Sequence, residues 1–296
     1  MMNRVEEEIQ RLLQEIGYDE VTRLFATLSG GKRLRAKLIL KIAPQKDEAV
    51  TLAAIVELIH AASLLHDDVI DDAQLRRGTP SVNATEGSKT AIMLGDILYS
   101  KAFSSLVFFD KEIASLISNA VTSLSIGEMQ DVALAKNFNS DENIYLEMLY
   151  LKTASLIEAS AAAAALLAGK SSSAYALYGK NLGLSFQIID DILDIVSDEA
   201  TLGKPALNDF VEGKCTLPYI YLYQELSEAE KERLISLHVK HLTHDESEWI
   251  KMKMQEHKVV EKSFALAKKL SQEAKEAVDG DAELTAILDT MIQRSY

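Results

Sequence analysis

One cysteine in 296 residues, Cys215, excludes an internal disulfide and a thiolate zinc cluster, and reads as a small core side chain suited to a reducing compartment. Prolines are scarce too: Pro44, Pro80, Pro205 and Pro218 leave residues 81 to 204 without that helix breaker. Cations are outnumbered, with 31 Lys and Arg against 45 Asp and Glu and a net charge of −14. Neither a nucleic-acid backbone nor an anionic membrane face is therefore the expected partner. Phosphate binding would have to rest on locally gathered Lys and Arg. No run approaches the ~20 apolar residues of a membrane span. The richest stretch, Ala159 to Gly169, has eleven residues and reads as a tightly packed core helix. The opening MMNRVEEEIQ is acidic where a signal peptide is apolar, so the expectation is a cytoplasmic chain with no transmembrane segment.

What is present is helical periodicity. Hydrophobic residues make up 48% of the chain, enough for a large core. Apolar side chains recur at three- and four-residue spacing in Leu52, Ile55, Val56 and Ile59, and similar patterns run through 91–108, 111–134 and 144–168. Strand-like alternation is hard to find. Turn signals separate the segments at Gly30-Gly31, Ala43-Pro44, Arg77 to Pro80, Asn137 to Ser140, Gly169 to Ser173 and Leu202 to Pro205. Ser227 and Glu230 have the spacing of a capping box. With no linker and no short repeat, the chain reads as all-α, one helical domain over 1–296.

Chemistry concentrates in two acidic clusters. Asp67-Asp68-Val-Ile-Asp71 lies at the end of an apolar helical segment, and Asp190-Asp191-Ile-Leu-Asp194 repeats the spacing far downstream. Residues four apart share a helix face, so Asp67 pairs with Asp71 and Asp190 with Asp194. Like charges gathered in an apolar segment destabilise it unless cations neutralise them. Mg²⁺ suits this task, because it binds through one or two carboxylates together with waters and substrate phosphates.

Basic residues follow the acids. Lys32, Arg33 and Arg35 come just after two glycines, Arg76 and Arg77 follow the first cluster, and Lys204 and Lys214 follow the second. Arg grips phosphate oxygens in a bidentate fork. The GGKRLR segment lacks the downstream Lys-Ser/Thr of a P-loop, which argues against a nucleoside triphosphatase. Two carboxylate faces with cations nearby suit a diphosphate leaving group while its ester carbon–oxygen bond ionises.

In combination these segments resemble the trans-type polyprenyl diphosphate synthases from about Gly30 to Ile220. The motifs are GGKRLR at 30–35, ELIHAASLLHDDVIDD at 57–72, RRG at 76–78, LGD at 94–96, KTA at 152–154, FQIIDDILD at 186–194, and LGKP with EGKCTLP at 202–218. The resemblance implies a bundle of long helices around a deep central cavity, normally a homodimer, and Mg²⁺-dependent condensation of isopentenyl diphosphate with an allylic diphosphate such as farnesyl diphosphate. By motif position it implies that Asp67, Asp71 and Asp190 reach Mg²⁺, while Asp68, Asp191 and Asp194 support the metal shell. Arg76 would hold the allylic diphosphate, and Lys32, Arg35, His60 and Arg77 the isopentenyl diphosphate. Lys152, Thr153, Gln187, Lys204 and Lys214 would surround the allylic group, with Thr153 and Gln187 turning oxygen dipoles toward the developing cation. Two departures stand out: Ala36 where the family usually has proline, which suggests a looser turn after Arg35, and Asn208-Asp209-Phe210 for the usual Gly-Asp-Leu.

In the resembled family, bulky residues just before the first cluster close the cavity. Ala62 and Ser63 are small, so a long all-trans product is expected, octaprenyl for preference and for use as a quinone side chain. Ile117, Val121 and Leu124 are candidates for the next floor, though ordinary core packing explains them equally well. Alternatives stay open: a farnesyl or geranylgeranyl synthase, and a non-catalytic subunit, although such subunits tend to lose aspartates. A terpene cyclase usually lacks the second Asp-rich motif, and a His-Asp phosphohydrolase would need a second His-Asp set beyond His66-Asp67. His238, His241 and His244 read as a solvated helix end rather than a metal site.

Overall fold

The computed structural model describes residues 1–28, 31, 33–76, 78–196 and 207–293. In chain order the helices are α1 (Met2–Gln14), α2 (Asp19–Thr27), α3 (Leu34–Ile42), α4 (Glu48–Ile70), α5 (Val82–Glu86), α6 (Ser88–Leu106), α7 (Lys111–Leu134), α8 (Glu142–Leu149), α9 (Ser155–Leu167), α10 (Ser172–Val196), α11 (Asn208–Val211), α12 (Leu217–Glu225), α13 (Glu228–Leu237), α14 (His244–Glu256), α15 (Val259–Ala277) and α16 (Ala282–Ile292). Among the described residues, the β-structure consists of β1 (Leu75–Arg76) paired antiparallel with β2 (Thr79–Pro80). The fold is the all-α class that the periodicity implied.

Contacts divide the chain into two compact units, residues 1–122 with 156–176 and residues 123–155 with 177–296. In the first, α4 is apolar on all sides, and such a helix belongs inside. It packs against α1, α3, α5 and α6. By length and composition α4 could cross a membrane, but most of its apolar window is buried within the protein. It is a longer apolar helix than the Ala159–Gly169 stretch singled out from sequence, and its Glu57 and aspartates mark it as a core helix with a polar end. The Ala-rich segment does pack as expected, with Ala161 to Ala165 inaccessible on α9. α1 buries Val5, Ile9, Leu12 and Leu13 along one face.

In the second unit, α12 packs against α8, α14 and α15. Phe210 stacks on Tyr219 at 4.4 Å between ring centroids, within a cluster that includes Leu222, Leu234 and Ile250. The phenylalanine of the Asn208-Asp209-Phe210 departure is therefore a core side chain. The capping box at Ser227 and Glu230 is formed. The helix expected over 144–168 is interrupted by a π-helical turn, Tyr150–Ala154. Periodicity alone does not register one wide turn between two good helices.

Candidate active site

The first acidic cluster ends α4 in a Schellman motif. Asp72 takes the left-handed conformation with φ 48°, its N–H reaches the Val69 carbonyl at 3.4 Å, and the Ala73 N–H donates to the Asp68 carbonyl at 2.9 Å. Asp is among the few residues besides Gly that tolerate this position. Asp72 thus closes the helix, leaving the preceding aspartates on its last turn. The Asn83 amide donates to the same Asp68 carbonyl at 3.3 Å, and Ser81 Oγ donates to the Ala73 carbonyl at 2.6 Å.

Asp68 is 1% exposed, and its Oδ1 accepts from Arg76 Nε on the β1–β2 hairpin at 2.6 Å. Burial pushes the Asp68 carboxyl above the usual range, and Arg76 opposes that shift. Asp67 is half-buried and Asp71 exposed. The LGD motif has a steric basis in the same unit: a Cβ on Gly95 would fall 2.3 Å from His66 Nε2. That nitrogen lies 3.2 Å from the Ile92 carbonyl oxygen and 3.5 Å from Asp96.

In the basic segment, Arg33 begins α3 in the left-handed region with φ 50°, its guanidinium held by Glu6 at 2.9 Å and Glu57 at 3.1 Å. Arg35 Nε is buried and has no hydrogen-bond partner among the described residues. Burial works against its charge, and Glu57 counters it. The looser turn expected at Ala36 is not found. The amide that proline would lack donates to Glu57 Oε1 at 3.1 Å. His60 is half-buried, Ala62 fully buried and Ser63 6% exposed with Oγ on the His60 carbonyl at 2.9 Å. Lys32, Arg77 and Lys204 lie outside the described residues.

In the second unit Asp190 is exposed, whereas Asp191 and Asp194 are 5% and 3% exposed. Asp191 accepts from the Tyr145 hydroxyl and from Gln187 Nε2 at 3.0 Å, and Thr153 Oγ1 donates to Gln187 Oε1 at 3.2 Å. Burial, reinforced by Asp209, raises the Asp191 carboxyl well above the ordinary range, while Tyr145 and Gln187 pull it back. Asp194 accepts the Asp209 N–H at 3.1 Å. Burial therefore sorts the six aspartates into three reachable carboxylates, Asp67, Asp71 and Asp190, and three interior ones, Asp68, Asp191 and Asp194.

Lys152 sits in the π-helical turn, a feature that recurs at functional sites. Its Nζ bonds Glu128 at 2.8 Å and Asp131 at 2.5 Å. Burial disfavours the ammonium, but the two carboxylates outweigh that and hold its pKa above the ordinary lysine value. Gly127 lets α7 approach this turn. A Cβ there would lie 2.3 Å from the Lys152 nitrogen. Lys214 likewise stays charged despite burial, with Glu212 at 2.9 Å. The neighbouring Gly213 has φ 94° and no room for a Cβ against the Ala135 carbonyl, and its own carbonyl lies 2.8 Å from His238 Nε2.

His238 is accordingly no solvated helix end. It is half-buried, lies past the end of α13 and sits edge-on to Phe138 and Phe210. His244 begins a different helix, α14, so the three histidines form no ladder. Glu57, Glu128, Asp131 and Tyr145, which sequence reasoning missed, are the partners that hold candidate site residues or their backbone in place. Gly127 was the available signal, because an isolated glycine inside a helical pattern commonly marks a close approach.

An all-α scaffold carrying two helix-borne Asp motifs, each with Lys or Arg on adjoining segments, defines an isoprenoid-synthase type of protein. The chain belongs to the polyprenyl synthetase family, whose model matches residues 19–255, and it is a prenyltransferase. It is similar to the octaprenyl pyrophosphate synthase of Helicobacter pylori, at 42% identity and TM-score 0.92 over 99% of this chain and 97% of that one. The geranylgeranyl pyrophosphate synthetase of Pyrococcus horikoshii Ot3 matches at 29% identity and TM-score 0.88 over 99% and 95%. A short chain isoprenyl diphosphate synthase of Methanothermobacter thermautotrophicus is 37% identical over 246 residues, 78% of this chain and 76% of that protein.

Proposed function

We propose that this chain is a Mg²⁺-dependent synthase that extends an allylic diphosphate, farnesyl diphosphate for preference, with isopentenyl diphosphate to a long all-trans polyprenyl diphosphate of octaprenyl class, for use as a quinone side chain. Residues 1–296 act as one catalytic domain, in the cytoplasm and as a homodimer. A second copy would cover apolar side chains that one copy leaves open, such as Met93 and Phe108, which are 54% and 88% exposed.

The observation that carries this reading is the sorting of aspartates by burial. Asp67, Asp71 and Asp190 offer hard oxygen donors at the surface, whereas Asp68, Asp191 and Asp194 are held inside by donors of the protein. Among the described residues, no three His, Cys, Asp or Glu side chains are gathered into a ready-made metal cage. That donor set fits Mg²⁺, which takes few protein carboxylates and completes its shell with water and substrate phosphate. When bound, Mg²⁺ supplies charge neutralisation of the departing diphosphate.

The protein's own contribution is positioning. Asp68 fixes Arg76 for the allylic diphosphate, and Glu128 and Asp131 hold the Lys152 ammonium charged and aligned. Thr153 spends its proton on Gln187, which leaves its oxygen lone pairs available to the allylic cation. Asp191 orients Gln187 through the amide N–H. No protein nucleophile is needed, and the proton lost after attack by the isopentenyl double bond goes to the released diphosphate.

Incubation of the purified protein with labelled isopentenyl diphosphate, several allylic starters and Mg²⁺, followed by product chromatography, tests the proposal. A ladder ending at long products is expected. No incorporation with any starter would refute the reading, and full activity in excess EDTA would refute its metal.

A further inference from the structure

A buried carboxylate that the reaction does not use lies beneath the basic segment. Glu57, on α4, is 3% exposed. Its two oxygens are divided between the residues on either side of Arg35: Oε1 accepts the Ala36 N–H at 3.1 Å, and Oε2 accepts Arg33 Nη1 at 3.1 Å. Ala36 is the third residue of α3, one of the first-turn positions whose N–H has no partner inside the helix. Arg33 holds a left-handed conformation that L residues avoid, and it is gripped from its other side by Glu6. One carboxylate therefore caps the helix and fixes the turn before it. Arg35, between the two anchor points, has a buried Nε without a hydrogen-bond partner among the described residues. Arg35 as a whole is half-buried, so part of its side chain stays within reach of a ligand anion while the buried Nε, a donor left unspent, is costly to the protein alone.

We infer that Glu57 is the positioning residue of the anion site at Arg35: it locks the backbone on both sides of that residue, so that the guanidinium is presented to the diphosphate of isopentenyl diphosphate without reorganisation. In this chain the lock also does the work of a ring. Proline at position 36 would fix the backbone covalently, whereas Ala36 leaves a free N–H and the Glu57 carboxylate takes it. The inference rests on the synthase reading above.

Glu57→Gln tests it, because the amide keeps the size and one acceptor oxygen but loses the charge that binds Arg33 and faces Arg35. The expected result is a rise of about ten-fold in the KM for isopentenyl diphosphate, with kcat at saturation within about three-fold and the KM for the allylic starter unchanged. Helical circular dichroism should be retained. Equal changes in both KM values, a fall in kcat alone, or no change would overturn the inference, since a merely structural carboxylate has no reason to discriminate between the substrates.

A second measurement separates this from failure of the synthase reading: calorimetric binding of isopentenyl diphosphate to wild type and variant in EDTA. Should the wild type turn over nothing yet bind, with Glu57→Gln about ten-fold weaker, the anion site stands and the synthase reading falls. Equal binding by the two proteins, or no binding by either, overturns the inference itself.

Discussion

Replacing Gly127 with alanine should damage catalysis from a position whose side chain touches no substrate. A Cβ there would lie 2.3 Å from the Lys152 nitrogen and 2.7 Å from both the Lys152 Cα and the Leu151 carbonyl carbon. Carbon atoms pack best at about 3.5–4.0 Å, so either α7 or the π-helical turn must move by about 1 Å. Alanine contributes about 0.5–1 kcal/mol through better helix propensity. Overpacking costs about 1–3 kcal/mol, and here it wins because both surfaces are backbone that no rotamer change can clear. The π-helical turn carries Lys152 with it, away from Glu128 and Asp131. A displacement of about 1 Å in a positioning group costs on the order of 100-fold in rate. Gly127→Ala should therefore lower the melting midpoint by a few degrees and turnover by about 100-fold. Circular dichroism melting and single-turnover incorporation of labelled isopentenyl diphosphate measure the two effects. A variant with a raised midpoint and wild-type turnover would refute the argument, because helix propensity would then have outweighed the contact.

Asp67→Ala and Asp190→Ala each remove a reachable carboxylate but no core volume; turnover should fall by orders of magnitude while the unfolding midpoint stays within a few degrees. Burial pushes the Cys215 thiol up to about 12, against the pull of the Asn139 backbone, so the native protein should resist iodoacetamide at pH 8 and react once unfolded in guanidinium. The sign of the linkage follows: the native thiol keeps a proton that the unfolded chain loses above about pH 8.5, so this residue's contribution to stability falls from there toward pH 12. Ser63→Phe should shorten the product ladder while sparing the first condensation, as product chromatography would register; Ala62→Phe, at a fully buried position, should instead lose stability along with activity.

Much of this was legible in the sequence because the signals were strong and local. The Asp motifs at 67–71 and 190–194 sit in segments of helical periodicity, and the structure places them at the end of α4 and within α10; Ser227 with Glu230 announced a cap that the structure contains. What stayed hidden was long-range. Glu57 is an unremarkable acid in an apolar segment until the fold brings Arg33 and Ala36 to it, 24 and 21 residues away in the chain. His238 seemed solvated because its neighbours in sequence are charged, but Phe138 and Phe210 come from elsewhere to cover it. The wide turn at Tyr150–Ala154 left no trace in the pattern, since it joins two helices that each read well alone.

The same contrast bears on product length. Solved structures named for octaprenyl and for geranylgeranyl products share this fold at high similarity, so helix arrangement cannot be what decides how many units are added. The decision must lie in a few side chains whose volume changes without disturbing the scaffold, and burial limits which those are. Ile117 is inaccessible, and a larger residue there meets packed neighbours; Val121 and Leu124, at 9% and 8% exposure, keep a trace of accessible surface. Ser63 keeps a trace as well, and its hydroxyl is turned back onto the His60 carbonyl of its own helix. A position satisfied by its own helix tolerates replacement, because no distant partner is left unpaired when the side chain changes. If the synthase reading proposed above holds, Ser63 is therefore the position at which a larger side chain is expected to shorten the product at the least cost to the fold, and Ser63→Phe separates steric control of the chain from damage to the core.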